Sequence, residues 1–234
     1  MTPRAGEPTA DDRVTTSNAR VPPNHDSRWW VAAAVVATAL AVVCGLIAAG
    51  GDVPGWEEAV FDAVNDLPDW LYGPMWVFQL AGLLLVPIGI AAVAAAFRRW
   101  RLAVALVLFV PLKLAVEKLV VKQLVERERP GTSICGAPED VDPACGNFRG
   151  DVPLEGLSFV SGHAIIAWGV AALLWPVLPG RWKWAPVAVA VANAVARVYL
   201  GAHNPLDVIG GAAIGLAIGC ILVAVFDPAR RPAQ

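Results

Sequence analysis

Six apolar runs constrain this chain more than any other feature of its sequence. They lie at roughly 29–50, 73–97, 102–124, 160–179, 184–200 and 206–226. Each reaches or approaches the ~20 residues a helix needs to cross a bilayer's hydrocarbon layer. Residues of the AVILMFWYC set make up 57% of the 234 positions, charged residues only 16%, and the mean hydropathy is +0.57. A soluble domain of this size cannot bury that much apolar surface, and disordered or small disulfide-framework classes are excluded by the same figures. Backbone groups in lipid must bond within their own segment, so the runs are expected to be helices. The predicted fold is therefore all-α, a six-transmembrane-helix bundle, with kinks at Pro87 and Pro111.

The flanks divide the chain further. Residues 1–28 are polar, without apolar period, and read as a disordered tail. The first run is longer than the 7–15-residue apolar core of a signal peptide, so it reads as a retained span. Residues 29–226 form the membrane domain and 227–234 a short C-terminal tail. The net charge of −2 carries little information, and no basic nucleic-acid footprint is present. The distribution of charge is more telling. Arg4, Arg13, Arg20, Arg28, Arg98, Arg99, Arg101, Arg181, Lys183, Arg230 and Arg231 all fall on one side of a six-span arrangement. The 51–72 connection holds Asp52, Glu57, Glu58, Asp62, Asp66 and Asp69 and no base. The positive-inside rule puts both termini in the cytoplasm of a cell-membrane protein, with 51–72, 125–159 and 201–205 facing outward. Trp29, Trp30, Trp70, Trp100, Trp182 and Trp184 flank the spans as an interfacial belt would.

In the first outer loop, Trp56, Val60, Phe61, Val64 and Leu67 recur at helical spacing with acids between them. They predict a short amphipathic helix, lying on the membrane or packed over the rim of the bundle. On the last run, Gly211, Gly215 and Gly219 form two overlapping GxxxG steps that would admit a close neighbour. Asp207, one step upstream, is expected to point into the bundle.

Three polar clusters stand at span ends, all on the expected outer side. Lys122 and Arg129-Pro130 follow the third run, Ser161-Gly162-His163 open the fourth, and Arg197, His203 and Asp207 bridge the fifth and sixth. Three cations in one place would repel one another without a polyanion, and phosphate matches arginine's bidentate geometry. A helix start at Ser161 adds free N–H groups and a positive dipole end. Two histidines beside such a site suit a nucleophile and a general acid. His203 and Asp207, four apart, allow the carboxylate to hold one imidazole nitrogen, the logic of a Ser-His-Asp triad with histidine as nucleophile.

Lys122-x6-Arg129-Pro130, then Ser161-Gly162-His163, then Arg197-x5-His203-x3-Asp207, in that order in a six-span protein, resemble the type-2 phosphatidic-acid phosphatase superfamily. That group also includes soluble acid phosphatases and vanadium haloperoxidases. The motifs cover about residues 100–210. The resemblance implies that His203 attacks phosphorus, that Asp207 orients it, and that His163 protonates the leaving oxygen and then activates water. It implies that Lys122, Arg129, Ser161, Gly162 and Arg197 hold the phosphoryl oxygens. It also implies no metal and no cofactor. Two positions depart from the family pattern: Val160 stands for the usual Pro, and Ala196 for the usual Ser. The second removes a hydroxyl from the phosphate shell, which bears on affinity rather than on chemistry.

Other polar positions read as structural. Lys113 and Glu117, four apart within the third run, are expected to pair. Asn193, one turn from Arg197, is expected to brace it. Cys135 and Cys145 are expected to form a disulfide in an oxidising compartment, and Cys44 and Cys220 to be inert core. Arg127 and Arg149 read as rim charges, and His25 in the tail as having no role. The sequence thus predicts a multi-pass membrane lipid phosphatase. A polyprenyl diphosphate is the favoured substrate, with phosphatidate or phosphatidylglycerol phosphate next. A bell-shaped pH profile is expected. A phosphotransferase and a non-enzymatic transporter or scaffold are the alternatives.

Overall fold

The computed structural model describes residues 27–136 and 145–230. Of the tail expected to be disordered over residues 1–28, residues 1–26, with His25, Arg4, Arg13 and Arg20, lie outside these, as does Arg231, whereas Ser27 and Arg28 already belong to the first helix. The described residues are helical apart from loops and one isolated antiparallel bridge between Glu128 and Leu157. The helices are α1 (Ser27–Ala48), α2 (Gly55–Asn65), α3 (Tyr72–Gln79), α4 (Leu85–Ala96), α5 (Trp100–Leu114), α6 (Lys122–Leu124), α7 (Pro130–Ser133), α8 (Gly162–Leu174), α9 (Trp184–Tyr199) and α10 (Pro205–Phe226).

Two of these, α1 and α10, are long and apolar enough by themselves to cross a membrane. A third crossing arises if the segment Asp69–Gly82 and α4 count as one broken span, bent by 64°. The break has a local cause. Pro87 lacks the N–H that would reach the Leu83 carbonyl, and its ring crowds that carbonyl. Leu83 accordingly leaves the helix in an extended conformation, φ −74°, ψ 145°. Pro111 is accommodated within α5, and a π-helical stretch, Ala115–Val121, follows one turn later. The third expected run is helical without interruption from Trp100 to Leu124, with four charged residues in its second half. The fourth is shorter than expected. It starts at Gly162 because Ser161 caps it, and it ends at Leu174.

α8 and α10 form the centre. The glycine steps of α10 face α8. A Cβ added at Gly211 would lie 2.6 Å from the Ser161 carbonyl, one at Gly219 2.7 Å from Ala172 Cβ, and one at Gly215 would strike the Ile165 carbonyl. Without side chains there, the backbones approach closely enough for dispersion contacts along the full crossing. α1 lies along another side of α10, where Cys44 and Cys220 are buried. Trp29, Trp70, Trp100, Trp182 and Trp184 are exposed near helix ends, whereas Trp30 is buried and is no part of such a belt.

α2 corrects the expected amphipathic pattern. Its buried face is Glu57, Phe61 and Asn65, while Trp56 and Val60 point outward. An acid and an amide displace the apolar residues from that face because both are fully bonded there. Glu57 pairs with Arg127, and Asn65 donates to the carbonyls of Asn147 and Tyr199. Arg149 is likewise no rim charge. It donates to the carbonyls of Asn65, Leu67 and Tyr199 and to Asp69, and its guanidinium stacks 4.2 Å from the Tyr199 ring. Cys135 and Cys145 form the expected disulfide.

Candidate active site

Each functional side chain is placed by a local rule of chain geometry. Arg129 precedes a proline, which favours extended backbone. It adopts φ −74°, ψ 161° as the N-cap of α7, with Pro130 at the first helical position. Its Nη1 donates to the Ala202 carbonyl at 2.7 Å, tying this turn to the loop before α10. Ser161 is the N-cap of α8, and its hydroxyl accepts from the Ala164 N–H at 3.5 Å. Its own N–H donates to the Asp207 carbonyl at 3.1 Å, so the starts of α8 and α10 are held together.

The turn into α10 contains Gly201 at φ +74°, a conformation glycine adopts without cost. Asn204 and Asp207 then form a reciprocal capping box with Pro205 between them. The Asp207 carboxylate is thereby fixed. Its Oδ2 accepts from the Asn204 N–H at 2.9 Å and from the Ser158 hydroxyl, and lies 3.6 Å from His203 Nδ1. Ser158 Oγ is also 3.4 Å from His203 Nδ1. With Nδ1 engaged on that side, Nε2 is the nitrogen left to the cavity that His203 lines.

That cavity has a volume of about 570 Å³. Lys122, Arg129, Gly162, His163, Arg197 and His203 all contribute to its wall, so residues 81 positions apart in sequence meet there. Leu83, Leu84, Leu85, Leu114 and Ile166 make one part of the wall apolar, while Lys113, Glu117 and Lys118 add charged groups to it. Ser161 and Asp207 are fully buried behind it. Ser161 is thus placed as a helix cap rather than on the wall.

The cations have additional partners. Lys122 Nζ donates to the Leu157 carbonyl at 3.3 Å and lies 3.8 Å from Glu117. Glu117 pairs with Lys113 as expected, and both are buried against Gly162. Arg197 Nη1 donates to Gln79 Oε1 at 2.6 Å. Asn193 forms no hydrogen bond with Arg197. It donates to the carbonyls of Phe78 and Gln79, so the two side chains hold the same end of α3 independently.

Electrostatics follow from this crowding. Burial holds the His203 pKa well below its ordinary 6.5, and the charges of Arg197, Arg129 and Lys122 push the same way, so the ring is neutral near pH 7. Burial also lowers the Arg129 pKa, while the Asp207 carboxylate opposes that shift; the guanidinium stays charged. A neutral imidazole aimed into a cationic cavity and backed by a carboxylate can attack an electrophilic centre held by those cations. Among the described residues, no group of three or more His, Cys, Asp or Glu side chains is arranged to hold a metal ion.

Several participants carry no signal in the sequence. Ser158 sits outside every motif. Gln79 and Gly82 are ordinary members of an apolar run. Glu57 is one of six acids in its loop, and Arg127 is two residues from the more conspicuous Arg129.

Comparison with known proteins gives a consistent picture. The family model described as PAP2 superfamily matches residues 98–231. Decaprenylphosphoryl-5-phosphoribose phosphatase of Mycobacterium tuberculosis is 33% identical over 151 residues, 64% of this chain and 73% of that protein. Among solved structures, the PAP2-type phosphatidylglycerolphosphate phosphatase of Bacillus subtilis superposes with a TM-score of 0.63 at 21% identity, covering 85% of this chain and 98% of that one. LpxE of Aquifex aeolicus superposes with a TM-score of 0.56 at 23% identity, covering 70% and 93%. At these identities the two structures establish likeness of fold.

Proposed function

The chain belongs to the PAP2 superfamily, and from that membership we propose that it is an integral membrane phosphatase that hydrolyses a lipid phosphate through a phosphohistidine. His203 Nε2 forms a bond to phosphorus as the bond to the leaving oxygen breaks. His163 gives that oxygen its proton. The same imidazole then takes a proton from water, whose oxygen displaces the phosphoryl group from His203 and regenerates both rings. Asp207 steadies the positive charge that develops on His203. Lys122, Arg129 and Arg197, with the Gly162 N–H and the capped start of α8, stabilise the charge on the equatorial oxygens. Ser161 contributes by fixing that helix start. The carrying observation is the convergence of two histidines and three cations on one cavity.

Part of that cavity's wall is apolar, formed by Leu83, Leu84, Leu85, Leu114 and Ile166, which suits a phosphate attached to a chain that stays in the bilayer. We favour a polyprenyl carrier. The Mycobacterium tuberculosis relative is named for a prenyl-linked sugar phosphate, so such a monoester joins polyprenyl diphosphate as the leading substrate class. Phosphatidate and phosphatidylglycerol phosphate follow. We further propose six crossings, both termini in the cytoplasm, and the site on the outer side, on the strength of the cation distribution along the sequence.

The test is phosphate release by purified protein in detergent, with a panel of lipid phosphates and a chelator present. Wild type should turn over at an unchanged rate with chelator, and His203→Ala should lose more than about a hundredfold. Phosphate passed to another hydroxyl with little release would instead identify a phosphotransferase. Full turnover by His203→Ala would remove the assigned nucleophile.

A further inference from the structure

The side chains that hold Asp207 continue out of the site to a helix that contributes nothing to the cavity wall. Arg127 is 1% exposed and Glu57 is fully buried. The guanidinium grips Glu57 in a fork, Nη1 to Oε1 at 3.0 Å and Nη2 to Oε2 at 2.6 Å, and Nη1 also lies 3.6 Å from Asp207 Oδ1. Glu57 Oε1 accepts in addition from the N–H of Leu206, the residue before Asp207 in the first turn of α10. One carboxylate on α2 therefore holds both the arginine and the helix end that carries Asp207.

The two oxygens of Asp207 have different surroundings. Oδ2 meets the Asn204 N–H, the Ser158 hydroxyl and His203 Nδ1. Oδ1 has no hydrogen bond and faces Arg127. A carboxylate without water is stable as an anion only when cations and donors replace its hydration. Arg127 supplies the cation on the Oδ1 side, which leaves Oδ2 directed at the imidazole. Glu57 shares the guanidinium, so Arg127 does not draw Asp207 away from His203.

We propose that Arg127, anchored by Glu57 of α2, is a positioning residue for phosphoryl transfer. It fixes the Asp207 carboxylate and through it the tautomer and direction of the His203 ring. The proposal rests on the reading of His203 and Asp207 given above. It gives α2 a catalytic consequence although none of its side chains lines the cavity.

The experiment is a double-mutant cycle on phosphate release by the full chain in detergent. Replacing Arg127 and Glu57 together by Gln removes the pair without leaving either charge of it buried alone. The double replacement should lower kcat about 10- to 100-fold, with KM changed less than about threefold. In an Asp207→Asn background the same replacement should cost less than about threefold, because the group it acts through is already gone. Arg127→Lys, which keeps the charge and loses the fork, should fall between; if the Gln pair does not fold, it carries the same cycle. Equal losses in both backgrounds, or a folded pair variant with wild-type kcat, would overturn the proposal. Full turnover by Asp207→Asn would be a different result, removing the underlying reading of the site.

Discussion

Gly82→Ala should inactivate the protein through a single methyl group. Gly82 ends the 3-10 turn before the break at Leu83, and it abuts the start of α8 at His163. A Cβ added there would overlap His163 Cβ and lie 2.6 Å from His163 Cα and 2.7 Å from its Cδ2. Ordinary carbon–carbon contact begins near 3.5 Å, so the two segments must part by roughly 1 Å. Because the clash includes the Cα, rotation of the imidazole cannot relieve it. A displacement of about 1 Å in a reacting group costs on the order of a hundredfold in rate, and overpacking costs about 1–3 kcal/mol of stability. The control is Gly89→Ala on α4, where a Cβ would meet nothing within 4 Å. That change should leave turnover intact and stabilise the helix by up to about 1 kcal/mol. Phosphate release and thermal unfolding of both variants in the same detergent provide the assay. Gly82→Ala with more than half of wild-type kcat would refute the argument that His163 is placed by this contact.

Three further outcomes follow from the same geometry. Because burial depresses the His203 pKa, its ring should remain neutral as pH falls through 6.5. A ¹⁵N-histidine NMR titration should show this, and the acid limb of kcat/KM assigned to the nucleophile should lie below 6.5; protonation of His203 at or above 6.5 would contradict it. Gly215→Val should separate α8 from α10, since its side chain would enter the Ile165 carbonyl, and should prevent stable folding or lower the melting temperature sharply; normal thermal unfolding of that variant would contradict the packing. Arg149→Ala should destabilise by about 2–4 kcal/mol through lost charge-assisted hydrogen bonds to buried carbonyls. The fraction that remains folded should keep a near wild-type kcat, as Arg149 does not line the cavity.

The sequence made the positions of the helices legible wherever hydrophobic run and helix coincide, as in α1 and α10. It was less informative where local geometry cuts a run short, as Ser161 does for α8 and Leu83 does before α4. Residues of the site were legible because their spacing is tied to backbone devices, the Arg129-Pro130 turn and the Asn204–Asp207 capping box among them. Ser158, Gln79 and Gly82 were not, because their roles depend on distant elements meeting. Arg127, Arg149 and Glu57 were misjudged for one physical reason. A charge in a loop is usually solvated, and no sequence pattern tells a solvated charge from one enclosed by partners 50 or more residues away. α2 shows the consequence, since its apolar spacing suggested one buried face and its ion pair selected another.

In the proposed reaction His203 carries the phosphoryl group between substrate and water. This role is tested most directly by mixing enzyme with lipid phosphate, quenching rapidly in alkaline denaturant, and locating the modification by peptide mass spectrometry. One phosphoryl group is expected on His203 of the wild-type protein, and none in His203→Ala. Turnover with no phosphorylated peptide, or a phosphoryl group found on any other residue, would contradict that role.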